Sequence, residues 1–298
     1  MNNLLVNISS IFDKIENIWT SNKTQKMIWI LILLSFVIVG FVIEINKIFL
    51  ENHFDLPNEL FYSIIFVFNL ILFYEMIDLI FAISKSFSIA ISKQMEIYSL
   101  VLLRESFKLV SNVSDNILYY EKPEKFNFWE LLQIFLNSEL FVMILSILGA
   151  IIVFTTNLRF KDRYSKFSEI KESNDLTSFI IIKKLISLVH IFVVLVFLIW
   201  IFLDERPGVD KVNNLLSLFF LSLIYVDILH LLVSYYYSKD YNLVFRNSSY
   251  SANTLLIRYS INTTPILGIF VGISACILLV LTIINFNKRI SLLNESSK

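Results

Sequence analysis

The chain has 298 residues, of which 56% are apolar, a mean hydropathy of +0.71, and no net charge, from 25 basic and 25 acidic side chains. That mix excludes an ordinary soluble domain, in which charged residues reach about 25%, and the charge balance leaves no field to attract nucleic acid or an anionic lipid surface. The lone Cys276 excludes an intramolecular disulfide and any multi-cysteine metal or cluster site.

In chain order, residues 1–26 come first. Leu4, Leu5, Ile8, Ile11, Phe12, Ile15, Ile18 and Trp19 recur at helical spacing opposite Asn7, Asp13, Lys14 and Glu16. This predicts an amphipathic helix, lying along the bilayer or docked on the protein's own end, and the segment lacks the charge and cleavage pattern of a secretory signal. Six runs then reach the roughly 20 apolar residues needed to cross about 30 Å of hydrocarbon: Met27 to Leu50, Leu60 to Ile83, Leu131 to Thr155, Phe179 to Leu203, Leu215 to Tyr237 and Ile266 to Phe286. Trp29, Trp129 and Trp200 fall near run ends, where amphipathic rings favour the headgroup layer.

Two helical stretches between these runs are more polar, Ser84 to Ser111 with Lys93, Glu96, Arg104 and Glu105, and Tyr241 to Pro265 with Arg246 and Arg258. A central charge costs about 2.5–3.5 kcal/mol on insertion scales. These stretches therefore read as partial or interfacial helices, with a crossing wrapped by its neighbours as the other arrangement. The fold class expected is an all-α integral membrane protein with six transmembrane helices and two polar ones.

Two parts of the chain can be set against each other as an internal repeat, with chance similarity between apolar segments as the alternative. Leu70-Ile-Leu-Phe-Tyr74-Glu75 sets against Leu221-Ser-Leu-Ile-Tyr225-Val226, and Arg104 and Ser106 set against Arg258 and Ser260. The division is then a first membrane half at 27–156, a charged linker at 157–176, a second half at 177–286 and a polar tail at 287–298. Acidic loops (Glu51, Asp55 and Glu59; Asp204, Glu205 and Asp210) follow the first run of each half. The excess of Lys and Arg in the loops on the N-terminal side points to a cytoplasmic N-terminus in a bacterial inner (plasma) membrane.

Ionisable residues inside spans face a bundle interior or a wet cavity. Those here are Glu75, Asp78, Glu139, His190, Asp227 and His230. Glu75 with Asp78, and Asp227 with His230, are three apart and share a helix face. Glu75, Asp78, Glu139, Asp227 and His230 thus form a candidate proton or ion pathway, with Lys93, Arg104 and Arg258 as counter-charges. The alternative is a set of interhelical pairs that fix packing. His190 and His230, on separate spans, are also candidate axial ligands for a b-type haem, although no metal-binding spacing supports a site.

Nucleotide-binding and common hydrolase motifs are absent. Gly268 and Gly272 form a G-x-x-x-G, a signature of close helix packing within the bundle or across a homo-oligomer. Thr264-Pro265 reads as a helix start. The functional reading is a small channel or transporter for protons or cations; the alternatives are a non-catalytic membrane subunit bound to others, and a haem redox protein.

Overall fold

In lipid, a chain with so few breaks satisfies its backbone only as helices, and helices are what form. A computed structural model describes residues 3–49, 61–116, 138–164, 173–203, 211–237 and 240–296. Among the described residues there are nine helices: α1 (Asn3–Thr20), α2 (Asn22–Phe49), α3 (Phe61–Lys85), α4 (Phe87–Asn116), α5 (Glu139–Tyr164), α6 (Ser173–Leu203), α7 (Lys211–Tyr237), α8 (Tyr241–Ile261) and α9 (Pro265–Ser296). Six of them, α2, α3, α5, α6, α7 and α9, are long and apolar enough to span a membrane. The protein is a multi-pass membrane protein.

The expected spans are found with shifted ends. The third is helical from Glu139 to Tyr164, so it runs more than two turns past Thr155 into the stretch read as linker. Its expected start, Leu131–Asn137, lies outside the described residues, as do Trp129, both acidic loops and the middle of the linker.

Direction follows from which residues meet. Asp78 meets Lys93 and Asn69 meets Arg104, so α3 and α4 are antiparallel about a one-residue break at Ser86. Ser92 meets Asn157 and Leu102 lies against Gly149, so α4 and α5 are antiparallel too. Gly149 lies beside Ile269 and Ile273, and Asn287 donates to the Arg163 carbonyl at 3.0 Å, so α5 and α9 run parallel. Phe179 against Tyr237 and His190 against Ser222 make α6 and α7 antiparallel. Ser234 with Asn247 and Asp227 with Arg258 do the same for α7 and α8, and Ser249 with Thr282 for α8 and α9. Helices α3, α5, α7 and α9 therefore run one way and α4, α6 and α8 the other.

This arrangement bears on the polar helices. Were α4 a partial helix at one surface, α3 and α5 would be antiparallel; they are parallel because α4 runs the length of the bundle between them. The polar side chains of α8, Arg246, Asn247, Thr254 and Arg258 among them, are buried, while Phe245, Leu256 and Tyr259 on its other side are exposed. Helix α4 is buried on two apolar sides. Phe87, Ile91, Met95, Tyr98 and Leu102 belong to one core cluster with residues of α5, α8 and α9, while Ala90, Ile97 and Val101 belong to a second with residues of α3, α6 and α7.

Glycines let α4 approach α9. The Tyr98 ring lies where a side chain on Gly272 would be, and its hydroxyl donates to the Gly268 carbonyl at 3.1 Å. The G-x-x-x-G is thus used inside the bundle. Helix α9 starts at Pro265 as expected, after an exposed junction at Asn262 and Thr264.

Helix α1 is docked on the protein, the second of its two expected arrangements. Phe12 is buried against Phe81, Trp19 stacks on Tyr74 at 5.4 Å, and Asp13 and Glu16 pair with Lys184 and Lys85. Ile11, Ile15 and Ile18 remain exposed on its other side, an apolar edge suited to the headgroup boundary.

Candidate functional site

The tight turn at Ser86 fixes which residues of α3 and α4 are opposite one another. Glu75 and Asp78, one helical turn apart, share a face as expected, and that face meets Lys93. The Lys93 Nζ lies 3.1 Å from Glu75 Oε2, 2.7 Å from Asp78 Oδ2 and 3.0 Å from Glu96 Oε2. An ammonium has three N–H donors, and each here is answered by a different carboxylate.

The network continues into α5. Glu96 also pairs with Lys161 through its other oxygen, and Asn157 Nδ2 donates to that oxygen at 3.4 Å. Asn157 Oδ1 in turn accepts from Ser92 at 2.7 Å. Three carboxylates thus face two ammoniums, a formal charge of one negative. Glu75, Asp78, Glu96 and Lys93 are 16–25% exposed and Lys161 is 41% exposed, so the cluster is reached from outside at the Lys161 end. A cavity of about 430 Å³ adjoins it, lined by Glu75, Glu96, Ser99, Leu103, Ala150 and Phe154.

A second polar cluster occupies another side of α4. Arg258 of α8 donates through Nη2 to Asp227 Oδ2 at 2.6 Å and to Gln94 Oε1 at 3.0 Å, and the Thr254 hydroxyl donates to the same Asp227 oxygen at 2.8 Å. Asp227, Arg258, Thr254 and Gln94 are all buried. Desolvating a pair this completely offsets much of its mutual attraction, so it contributes more to fixing helix positions than to net stability.

The expected site residues therefore divide. Lys93 is the counter-charge of Glu75 and Asp78, whereas Arg104 is not: it donates through Nε to Asn69 at 2.5 Å and pairs with Glu105 at 2.8 Å. Arg258 is the counter-charge of Asp227. Glu139 stands apart, in the first turn of α5, about 19 Å along the axis from that helix's midpoint at 1.5 Å per residue. His230 donates through its Nδ1–H to the Val226 carbonyl at 3.0 Å, and its ring stacks on Phe87.

His190 and His230, the candidate haem ligands, are both buried. His190 Nε2 shares a 2.9 Å hydrogen bond with the Ser222 hydroxyl, which also lies 2.7 Å from the Phe219 carbonyl. The His190 ring stacks on Phe219 and the His230 ring on Phe87, so a macrocycle between them requires both stacks to open. Among the described residues no three His, Cys, Asp or Glu side chains come together to hold a metal ion.

The chain matches no family model, no curated protein and no solved structure. Any functional reading therefore rests on the two clusters themselves. Glu96, Asn157 and Lys161 complete the first and Gln94 and Thr254 the second; of these five, sequence reasoning set only Glu96 beside Glu75 and Asp78. For Lys161 the helical spacing of Asn157, Phe160 and Tyr164 was the available signal, since it continues the apolar face of α5 beyond the point where the linker was placed.

Proposed function

We propose that the protein is a small transporter or channel for protons or monovalent cations, with exchange at the Lys93 cluster. The observation that supports this is the cage itself: carboxylates from two adjacent helices converge on one tethered ammonium beside a cavity. An ammonium held by three carboxylates occupies the position a free monovalent cation would take. A proton or cation entering the cavity competes with Lys93 for Glu75 and Glu96, and Lys93 then turns toward Asp78. Intramembrane charges are costly to keep, and a cluster with one surplus carboxylate has a function in accepting positive charge. In this reading Asp227 lies outside the path and locks α7 to α8 through Arg258, and His230, stacked on Phe87 of α4, is outside it too.

The same reading takes the chain as two related halves with a cytoplasmic N-terminus. What supports the halves is the common order of α2–α5 and α6–α9, each with a polar third helix. In each, an arginine of that helix reaches back to the helix before it, Arg104 to Asn69 and Arg258 to Asp227. The excess of Lys and Arg on the N-terminal side supports the orientation.

The test is flux in proteoliposomes driven by a pH or potassium gradient. Glu75→Gln and Lys93→Met should each lower flux by about tenfold or more, the size of a lost charge-assisted contact. Glu105→Gln, at an exposed position outside the cage, should leave it unchanged. Flux no greater than in protein-free vesicles, or flux indifferent to Glu75→Gln, would refute the proposal.

A further inference from the structure

Arg258 is bound in an unusual way. Although it is 3% exposed, it uses only Nη2, which serves both Asp227 and Gln94. Its Nε and Nη1 have no hydrogen-bond partner, and neither does Nε2 of the buried Gln94. A guanidinium placed only to neutralise a carboxylate usually meets it with two parallel N–H bonds. Here Asp227 takes one, and its oxygen is shared with Thr254.

The unanswered atoms are all donors. Leaving a buried donor unsatisfied costs about 1–3 kcal/mol, more for a charged group, and three lie on two side chains that touch each other. A water molecule brings donors as well as acceptors, whereas an oxyanion brings acceptors alone and matches the planar fork that arginine presents. The residues come from α4 and α8, with Asp227 of α7 alongside, so the site lies where the two halves meet.

We propose that Arg258 and Gln94 form a binding site for a small planar oxyanion of the carboxylate type. The anion accepts from Arg258 Nε or Nη1 and from Gln94 Nε2. Asp227 already balances Arg258, so a bound monoanion leaves one negative charge in the interior, and binding takes up one proton or cation with it. Binding stands apart from the transport reading and is measured without flux; only its coupling to movement across the membrane depends on that reading.

The experiment uses the purified full chain in nanodiscs, with sodium acetate, sodium bicarbonate or sodium nitrate titrated against sodium chloride at matched ionic strength. Calorimetry and thermal unfolding are read together. Acetate or bicarbonate should bind saturably and raise the melting temperature relative to chloride, with proton uptake seen as a buffer-dependent heat. Gln94→Leu and Arg258→Lys, which keeps the charge but loses the fork, should each weaken binding by about tenfold or more. Gln94→Leu serves where Arg258→Lys fails to fold. No difference between the oxyanions and chloride for the wild-type chain would overturn the proposal, as would binding that survives Gln94→Leu undiminished.

Discussion

Gly272→Ala tests how closely α4 is built into the bundle. A methyl group at this position falls on the Tyr98 ring and hydroxyl, and Tyr98 is 2% exposed with no free space into which to withdraw. Overpacking a core costs about 1–3 kcal/mol. The displaced hydroxyl also loses its bond to the Gly268 carbonyl, about 0.5–1.5 kcal/mol, while alanine's better helix propensity returns up to about 1 kcal/mol. The net is a loss of about 2–3 kcal/mol, or roughly 5–10 °C in melting temperature by the scaling for larger domains. Gly40→Ala is the internal control, because nothing lies within 4 Å of a methyl group there, and it should be neutral or stabilising by about 0.5–1 kcal/mol. Both are read by heating detergent-solubilised protein and measuring the fraction that remains monodisperse. Adding Tyr98→Leu to Gly272→Ala should cost less than the sum of the two changes, because the ring that clashes is gone. Equal melting temperatures for the two alanine variants would refute the packing argument.

Asp227→Asn leaves the buried Arg258 charge uncompensated and should cost about 3–5 kcal/mol, seen as lost yield or a much lower melting temperature; replacing both partners, Asp227→Leu with Arg258→Met, should recover most of it. The direction of α4 is checked by single cysteines at Lys85, Asp240 and Asn262 in a Cys276→Ser background, labelled with an impermeant maleimide in sealed vesicles. Lys85→Cys and Asp240→Cys should label from the same side and Asn262→Cys from the other, whereas a bundle with partial α4 and α8 would group Asp240 with Asn262.

The apolar helices were legible because each carries its own evidence: some 20 predominantly apolar residues determine a span even where one or two charges interrupt them. The polar helices carried no such evidence. Lys93, Glu96 and Arg258 are expensive in lipid taken one helix at a time, and the partners that make them tolerable come from α3, α5, α7 and α4. Hydropathy along a single segment contains no information about those partners. The choice between Lys93 and Arg104 as the counter-charge was in fact available. A one-residue turn at Ser86 makes positions equally distant from it opposite one another, so Asp78 meets Lys93 and Asn69 meets Arg104. Without the turn placed, that arithmetic had no origin. Arg258 with Asp227 was open in the same way only after α7 and α8 were known to be antiparallel neighbours.

Lys93 and Gln94 are consecutive, so their side chains leave α4 about 100° apart and only about 1.5 Å apart along its axis. One belongs to the carboxylate cage and the other to the buried arginine. A rigid rod that carries both cannot turn or slide to relax one cluster without loading the other, and the single-residue joint at Ser86 ties the rod to α3. A displacement of one cluster is therefore felt at the other as torque on α4, with no intervening loop to absorb it.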